Sequence, residues 1–110
     1  MDPSQASEGS VRPPELPELI ASRVLAHPAV DRLDRGQHGV IATPLPGRTV
    51  TGIRVAHAGD AVELAVVLRL GRPLRDTVSE LRTLVRELAG EVTVNVTVSD
   101  VAPDVGSGDR

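Results

Sequence analysis

The sequence predicts an α+β domain of two layers, with two helices packed on one face of a mixed β-sheet. Three observations carry this. Val62, Leu64, Val66, Leu68 and Leu70 recur at every second position, and so do Val92, Val94, Val96 and Val98. Between the two series, Leu74, Val78, Leu81, Val85 and Leu88 fall at alternating spacings of four and three. The outer series have a strand's period and the middle one a helix's. The stretch joining the two strands is long enough for a parallel crossover, which should be right-handed.

The remaining elements follow in chain order. Residues 1–14 are rich in Ser, Pro and Gly and carry one valine, so they read as a disordered tail. A helix is expected from Pro17 to His27. Pro17 suits the first turn, Glu18 complements the positive helix end, and Pro28 stops it. Leu16, Leu19, Ile20 and Val24 mark its apolar face. Ala29–Arg35 reads as a short strand with Val30 and Leu33 inward, and His38–Thr43 as a second. Pro44-Leu45-Pro46-Gly47 reads as an edge or a loop. Val50–His57 resumes as a strand, with Gly52 marking a bulge. Ala58-Gly59-Asp60 then makes a tight hairpin into the long strand Ala61–Leu70, which should show one core face and one mixed face. Gly71-Arg72-Pro73 leads into the second helix, whose stripe should dock on the sheet. Gly90 stops that helix and Glu91–Val101 is the last strand. The domain thus covers residues 15–102, and residues 103–110 form a second tail.

Composition narrows the function. There are no aromatic residues, so stacking of bases on aromatic rings is excluded. All 12 basic residues are arginine, as GC-rich coding would favour, and the net charge is −3. From Glu15 to Ala102 there are 10 Arg against 11 Asp and Glu, a balance that argues against general nucleic-acid binding. Without cysteine there is no disulfide scaffold, thiolate metal site or cysteine nucleophile. No apolar run approaches the roughly 18–20 residues that would span a bilayer, and the N-terminus lacks an apolar signal core. The expected location is the cytoplasm.

No motif points to catalysis. His27, His38 and His57 share no helical spacing and form no HExxH, and no serine lies in a GxSxG elbow. No catalytic residue, metal or cofactor is expected. Arg69, Arg72 and Arg75 are the densest basic spacing. With Arg48 and Arg54 they could hold an anionic partner, the alternative reading being a small anion- or nucleic-acid-binding module. The structural reading is the stronger one: Arg72 and Asp76 are spaced for a helical ion pair, and arginine stems cover apolar surface. The outward series Thr93, Asn95, Thr97 and Ser99 is uncharged. At a sheet edge such a strand invites pairing with another chain.

The order of segments resembles the alkaline shock protein family, the envelope stress response proteins of Gram-positive bacteria. The likeness covers about Leu19 to Val101. It rests on Val62-to-Leu70, Gly71-Arg72-Pro73, Leu74-to-Gly90 and the Val92-to-Val101 strand closing in Asp100-Val101. In the front half it rests on Ala29-Val30-Asp31-Arg32-Leu33, Leu45-Pro46-Gly47-Arg48 and Gly52-Ile53-Arg54-Val55. Ala29 stands where the family usually has glycine, and Leu70 where it usually has an aromatic residue. The resemblance implies a non-enzymatic adaptor or scaffold that acts by self-association and by binding a membrane-associated protein partner. Its candidate contacts here are Arg48, Arg54, Arg69, Arg72, Arg75, Thr93, Asn95 and Thr97.

Overall fold

The computed structural model describes residues 15–103, so the expected tails lie outside the described residues except for Pro103. The chain forms α1 (Leu16–Leu25), β1 (Val30–Leu33), β2 (Ala42–Leu45), β3 (Arg48–Thr51), β4 (Ile53–Arg54), β5 (Val62–Arg69), α2 (Leu74–Ala89) and β6 (Val94–Ala102). This is the α+β architecture expected, with a mixed sheet: β5 pairs antiparallel with β1 and β4, and parallel with β6. β1 and β4 meet different parts of β5, Val66–Leu68 and Glu63–Leu64 respectively, while β6 runs beside it from Val62 to Arg69.

The core lies between this sheet and both helices. Ile20 and Val24 of α1 and Leu81 and Val85 of α2 join Val62, Leu64, Val66 and Leu68 of β5 in one buried cluster. The period-two face of β5 is therefore the helix-facing one. Its other face is more buried than expected, because Ala65 and Val67 are also inaccessible. The loop from Asp34 to Ile41 crosses that side: its residues line a cleft together with Thr97 and Ser99.

The front half departs from expectation in register. α1 runs from Leu16 to Leu25 rather than from Pro17 to His27, and the Glu18 carboxylate accepts the Glu15 N–H at its start, at 2.9 Å. β1 is Val30–Leu33, shorter than Ala29–Arg35. The expected strand His38–Thr43 is displaced toward the C-terminus, to Ala42–Leu45. Residues before it are consumed by turns in which Gly36 and Gly39 take positive φ. Pro44, expected at an edge or in a loop, takes the first of these: it sits within β2 opposite Thr49, on a two-stranded ribbon where a missing N–H is tolerated. The expected strand Val50–His57 breaks at Gly52 and ends at Arg54, so the connection to β5 is a longer loop than a tight hairpin. Gly52 has φ +86°, and a Cβ there would lie 2.7 Å from the Leu33 Cβ.

Two bulges flank the same point of β5. Along β6, Val66 faces Val98 and Val67 faces Asp100, so Ser99 is an extra residue. Along β1, Leu68 faces Val30 and Val67 faces Arg32, so Asp31 is extra. The pattern explains both. Val94, Val96, Val98 and Val101 end in a step of three, as do Val30 and Leu33, and only an inserted residue returns Val101 and Leu33 to the helix-facing side.

Candidate functional site

β6 is an edge strand: among the described residues it pairs with β5 alone. Its orientation follows from one bond. The Val62 N–H donates to the Thr93 carbonyl at 2.8 Å, so the backbone of Thr93, and by alternation that of Asn95 and Thr97, is directed at β5. The N–H and C=O groups of Val94, Val96 and Val98 therefore point away from the sheet.

Both ends of that edge are covered. Arg82 of α2 donates from Nε to the Val94 carbonyl at 3.0 Å, and Arg86 donates from Nε to the Val92 carbonyl at 3.0 Å. At the far end the Asp100 carboxylate accepts the Val101 N–H at 2.8 Å. Between these caps, the N–H of Val94 and both backbone groups of Val96 and Val98 have no such cover among the described residues.

The helix continues the row. Arg86, Arg82, Val78 and Leu74 are each four apart and form one line along α2. Four helical residues advance about 6 Å and two strand residues about 6.6 Å, so the line keeps step with β6. Arg86 and Arg82 mark where that row meets the strand, at Val92 and Val94, and Val78 and Leu74 follow toward the start of the helix. This corrects the expectation that the whole stripe docks in the core. Leu81 and Val85 are buried, but Val78 is only partly so and Leu74 is 43% exposed. Val96 and Val98 are also only partly covered. Beside the open strand edge, α2 thus leaves an apolar wall at Leu74 and Val78 incompletely covered.

On the opposite face of β6, Thr93, Asn95 and Thr97 are exposed, as their alternation predicts. Ser99, at the bulge, is not. Its hydroxyl oxygen is buried and has no hydrogen bond of good geometry among the described residues, yet it stands close to Asp34. The Gly36 N–H first, and the Ser99 hydroxyl second, hold the Asp34 carboxyl below its ordinary range.

The five arginines singled out from the sequence are spread over the molecule. Arg48 of β3 pairs with Glu18 at the start of α1. Arg54 pairs with Glu63 at one end of β5, at 3.2 Å. Arg69, at the other end, roughly 20 Å away along the strand, donates to the Pro28 carbonyl at 2.9 Å and lies 3.6 Å from Asp31. Arg72 pairs at 3.0 Å with Glu80 rather than with Asp76. Arg75 has no ion pair with another described residue.

The histidines do not converge either. His27 makes a 2.7 Å contact from Nε2 to Glu80, while its Nδ1 accepts the Ala29 N–H at 3.0 Å. The His27 bond, then Arg72, keeps the Glu80 carboxyl below its ordinary range. His57 lies 3.4 Å from Asp60, and His38 lies on the loop over the far face. Among the described residues no group of three His, Cys, Asp or Glu is arranged to hold a metal ion. No described helix is long and apolar enough to cross a membrane.

Arg82, Arg86, Leu74 and Val78 were not singled out by sequence reasoning as a surface. The signal was their common spacing of four. Comparison with family models, with curated proteins and with solved structures finds no match to this chain.

Proposed function

We propose that the chain is a non-enzymatic adaptor that holds an extended segment of a protein partner along the open edge of β6, beside α2. The observation that carries this reading is the row of outward-facing backbone groups at Val96 and Val98 on an edge strand, bordered by a helix that leaves Leu74 exposed and Val78 half-buried. An incoming strand would satisfy those groups and bury its alternate side chains against the wall. The resemblance noted in the sequence supplies the setting: envelope stress, self-association and a membrane-associated partner.

The test uses the full chain immobilised and challenged with a detergent-solubilised envelope fraction of the native cell. Val96→Pro removes an N–H that points away from β5, so it blocks the edge while leaving the β5 ladder in place. Leu74→Asp spoils the wall without touching the strand. An integral membrane protein retained by the native chain and lost from both variants, with their thermal unfolding still cooperative, is the expected result. Equal retention by the native chain and both variants would exclude this edge.

A further inference from the structure

We infer that the segment taken up along β6 is acidic: an extended peptide whose alternate side chains carry carboxylates, recognised by a stripe of arginines on α2. The inference rests on the strand-addition reading above and specifies the chemistry of the partner.

The polar surface of α2 is divided by charge. Asp76, Glu80 and Glu87 follow one another at steps of four and seven, and Arg75, Arg82 and Arg86 at steps of seven and four, so each set forms one stripe along the helix. Asp76 follows Arg75 and Glu87 follows Arg86, which places the two stripes about 100° apart around the axis. The acidic stripe is turned toward α1 and the turn after it. Glu87 pairs with Arg23 at 2.7 Å, and Glu80 bonds to His27 at 2.7 Å and to Arg72 at 3.0 Å. The basic stripe has no carboxylate within ion-pair distance among the described residues. Arg75 is exposed. Arg82 and Arg86 each donate from Nε to a carbonyl, which leaves the terminal nitrogens of both forks open to a further acceptor.

Those two bonds also fix where the stripe stands. The Val92 and Val94 carbonyls point away from β5, so both guanidinium groups lie along the open edge, where an added strand runs. From Val92 to Ser99 the strand carries no charge of its own, so nothing on it answers the arginines. Arg82 and Arg86 are separated by about 6 Å along the helix, close to the roughly 6.6 Å between alternate strand residues. Carboxylates at alternate positions of an added strand match that spacing. A strand with cations at those positions is repelled, and a neutral one gains the backbone bonds alone.

The test is fluorescence anisotropy of the full chain with labelled peptides of equal length, which alternate valine with glutamate, glutamine or lysine. The native chain is expected to bind the glutamate peptide at least about tenfold more tightly than the glutamine one, with the lysine one weakest, and the advantage should shrink as salt is raised. Arg75→Gln changes an exposed side chain without an ion pair, so the fold is kept. It should weaken the glutamate peptide about threefold and leave the glutamine peptide unchanged. Arg75→Glu with Arg86→Glu should reverse the order of the glutamate and lysine peptides. Val96→Pro should abolish binding of the glutamate and glutamine peptides alike.

Equal affinity for the glutamate and glutamine peptides overturns the inference; if Val96→Pro still removes both, strand addition stands without a preference for acid. A native chain that binds none of the three peptides also overturns it, while the envelope capture above judges the adaptor reading separately. A glutamate peptide that binds Val96→Pro as well as the native chain removes the inference and strand addition together. A labelled single-stranded oligonucleotide of equal charge that binds as tightly as the glutamate peptide overturns the choice of a peptide, because the stripe would then be reading phosphate.

Discussion

Arg82 reaches from the middle of α2 to the main-chain carbonyl of Val94, 3.0 Å away on the side of β6 that faces away from β5. The bond ties the helix to the strand it covers and occupies the first outward acceptor of the edge. Arg82→Met keeps the apolar stem and loses the donor, so it isolates the bond from the packing. The expected cost is about 1–2 kcal/mol, from a charged donor on a partly buried carbonyl. Urea unfolding should show it as a lower midpoint with unchanged slope. An unaltered midpoint would mean that water replaces the guanidinium at no cost.

Gly52 sits where β3 turns into β4, with φ +86° and its α-carbon hydrogens directed at Leu33. A methyl group there would also lie 3.1 Å from the carbonyl oxygens of Ala65 and Asp34. Both carbonyls are backbone and cannot rotate aside. Gly52→Ala therefore combines a strained conformation with overpacking, and a loss of about 2–4 kcal/mol is expected. A denaturation midpoint within experimental error of the native one would show that the β3–β4 corner can open without cost.

How far the fold could be read in advance depended on whether a residue's role was local. Val62–Leu70 and Leu74–Leu88 announced a strand and a helix because burial imposes one period over many residues. The β2 position was misread because Pro44 looked like punctuation. Only the pairing with Thr49 shows that a two-stranded ribbon accepts it. The bulge at Ser99 was present in the spacing of Val98 and Val101, but it matters only once β5 is known to be the neighbour. The open edge beside Leu74 and Val78 was least legible. Leu74 and Val78 belong to the same apolar stripe as Leu81 and Val85, and no local pattern tells which part of a stripe extends past the sheet. That division is set by the placement of α2 over an edge strand. The exposed Thr93, Asn95 and Thr97 were read correctly as a face, whereas four of the five arginines proved to be individual ion-pair partners at separate places, and Arg75 pairs with no other described residue.

Thr43 joins the small β2–β3 ribbon to the main sheet. Its hydroxyl donates to the Ile53 carbonyl at 2.6 Å and accepts the Val55 N–H at 3.2 Å, all within a buried environment. Thr43→Val replaces the hydroxyl with a methyl group of similar size and leaves a buried N–H and C=O unpaired. The expected loss is about 2–4 kcal/mol, the sum of two unsatisfied groups. Thr43→Ser, which keeps the hydroxyl, should recover most of it. If valine and serine are equally stable, the two bonds contribute nothing and shape alone holds the ribbon.

Glu18 and Arg48 connect the start of α1 to β3, and they give the protein a pH response with a definite sign. The hydrogen bond from Arg48, then the one from the Glu15 N–H, lowers the Glu18 pKa from 4.5 to about 2. A carboxyl with a folded pKa below its unfolded value adds stability that is fully present above the unfolded value. That stability is lost as the pH falls toward the folded one. The window is therefore about 4.5 down to about 2. Arg48→Met removes the partner and should lower the melting temperature most at neutral pH. The gap to the native chain should narrow steadily through that window, and Glu18→Gln should flatten the same part of the native profile. Asp34 and Glu80 are also held low, so the native chain will keep some acid sensitivity in either variant. The decisive quantity is the difference between native and variant curves. A difference that does not change with pH would mean that Arg48 acts through the packing of its stem against α1 and not through its charge.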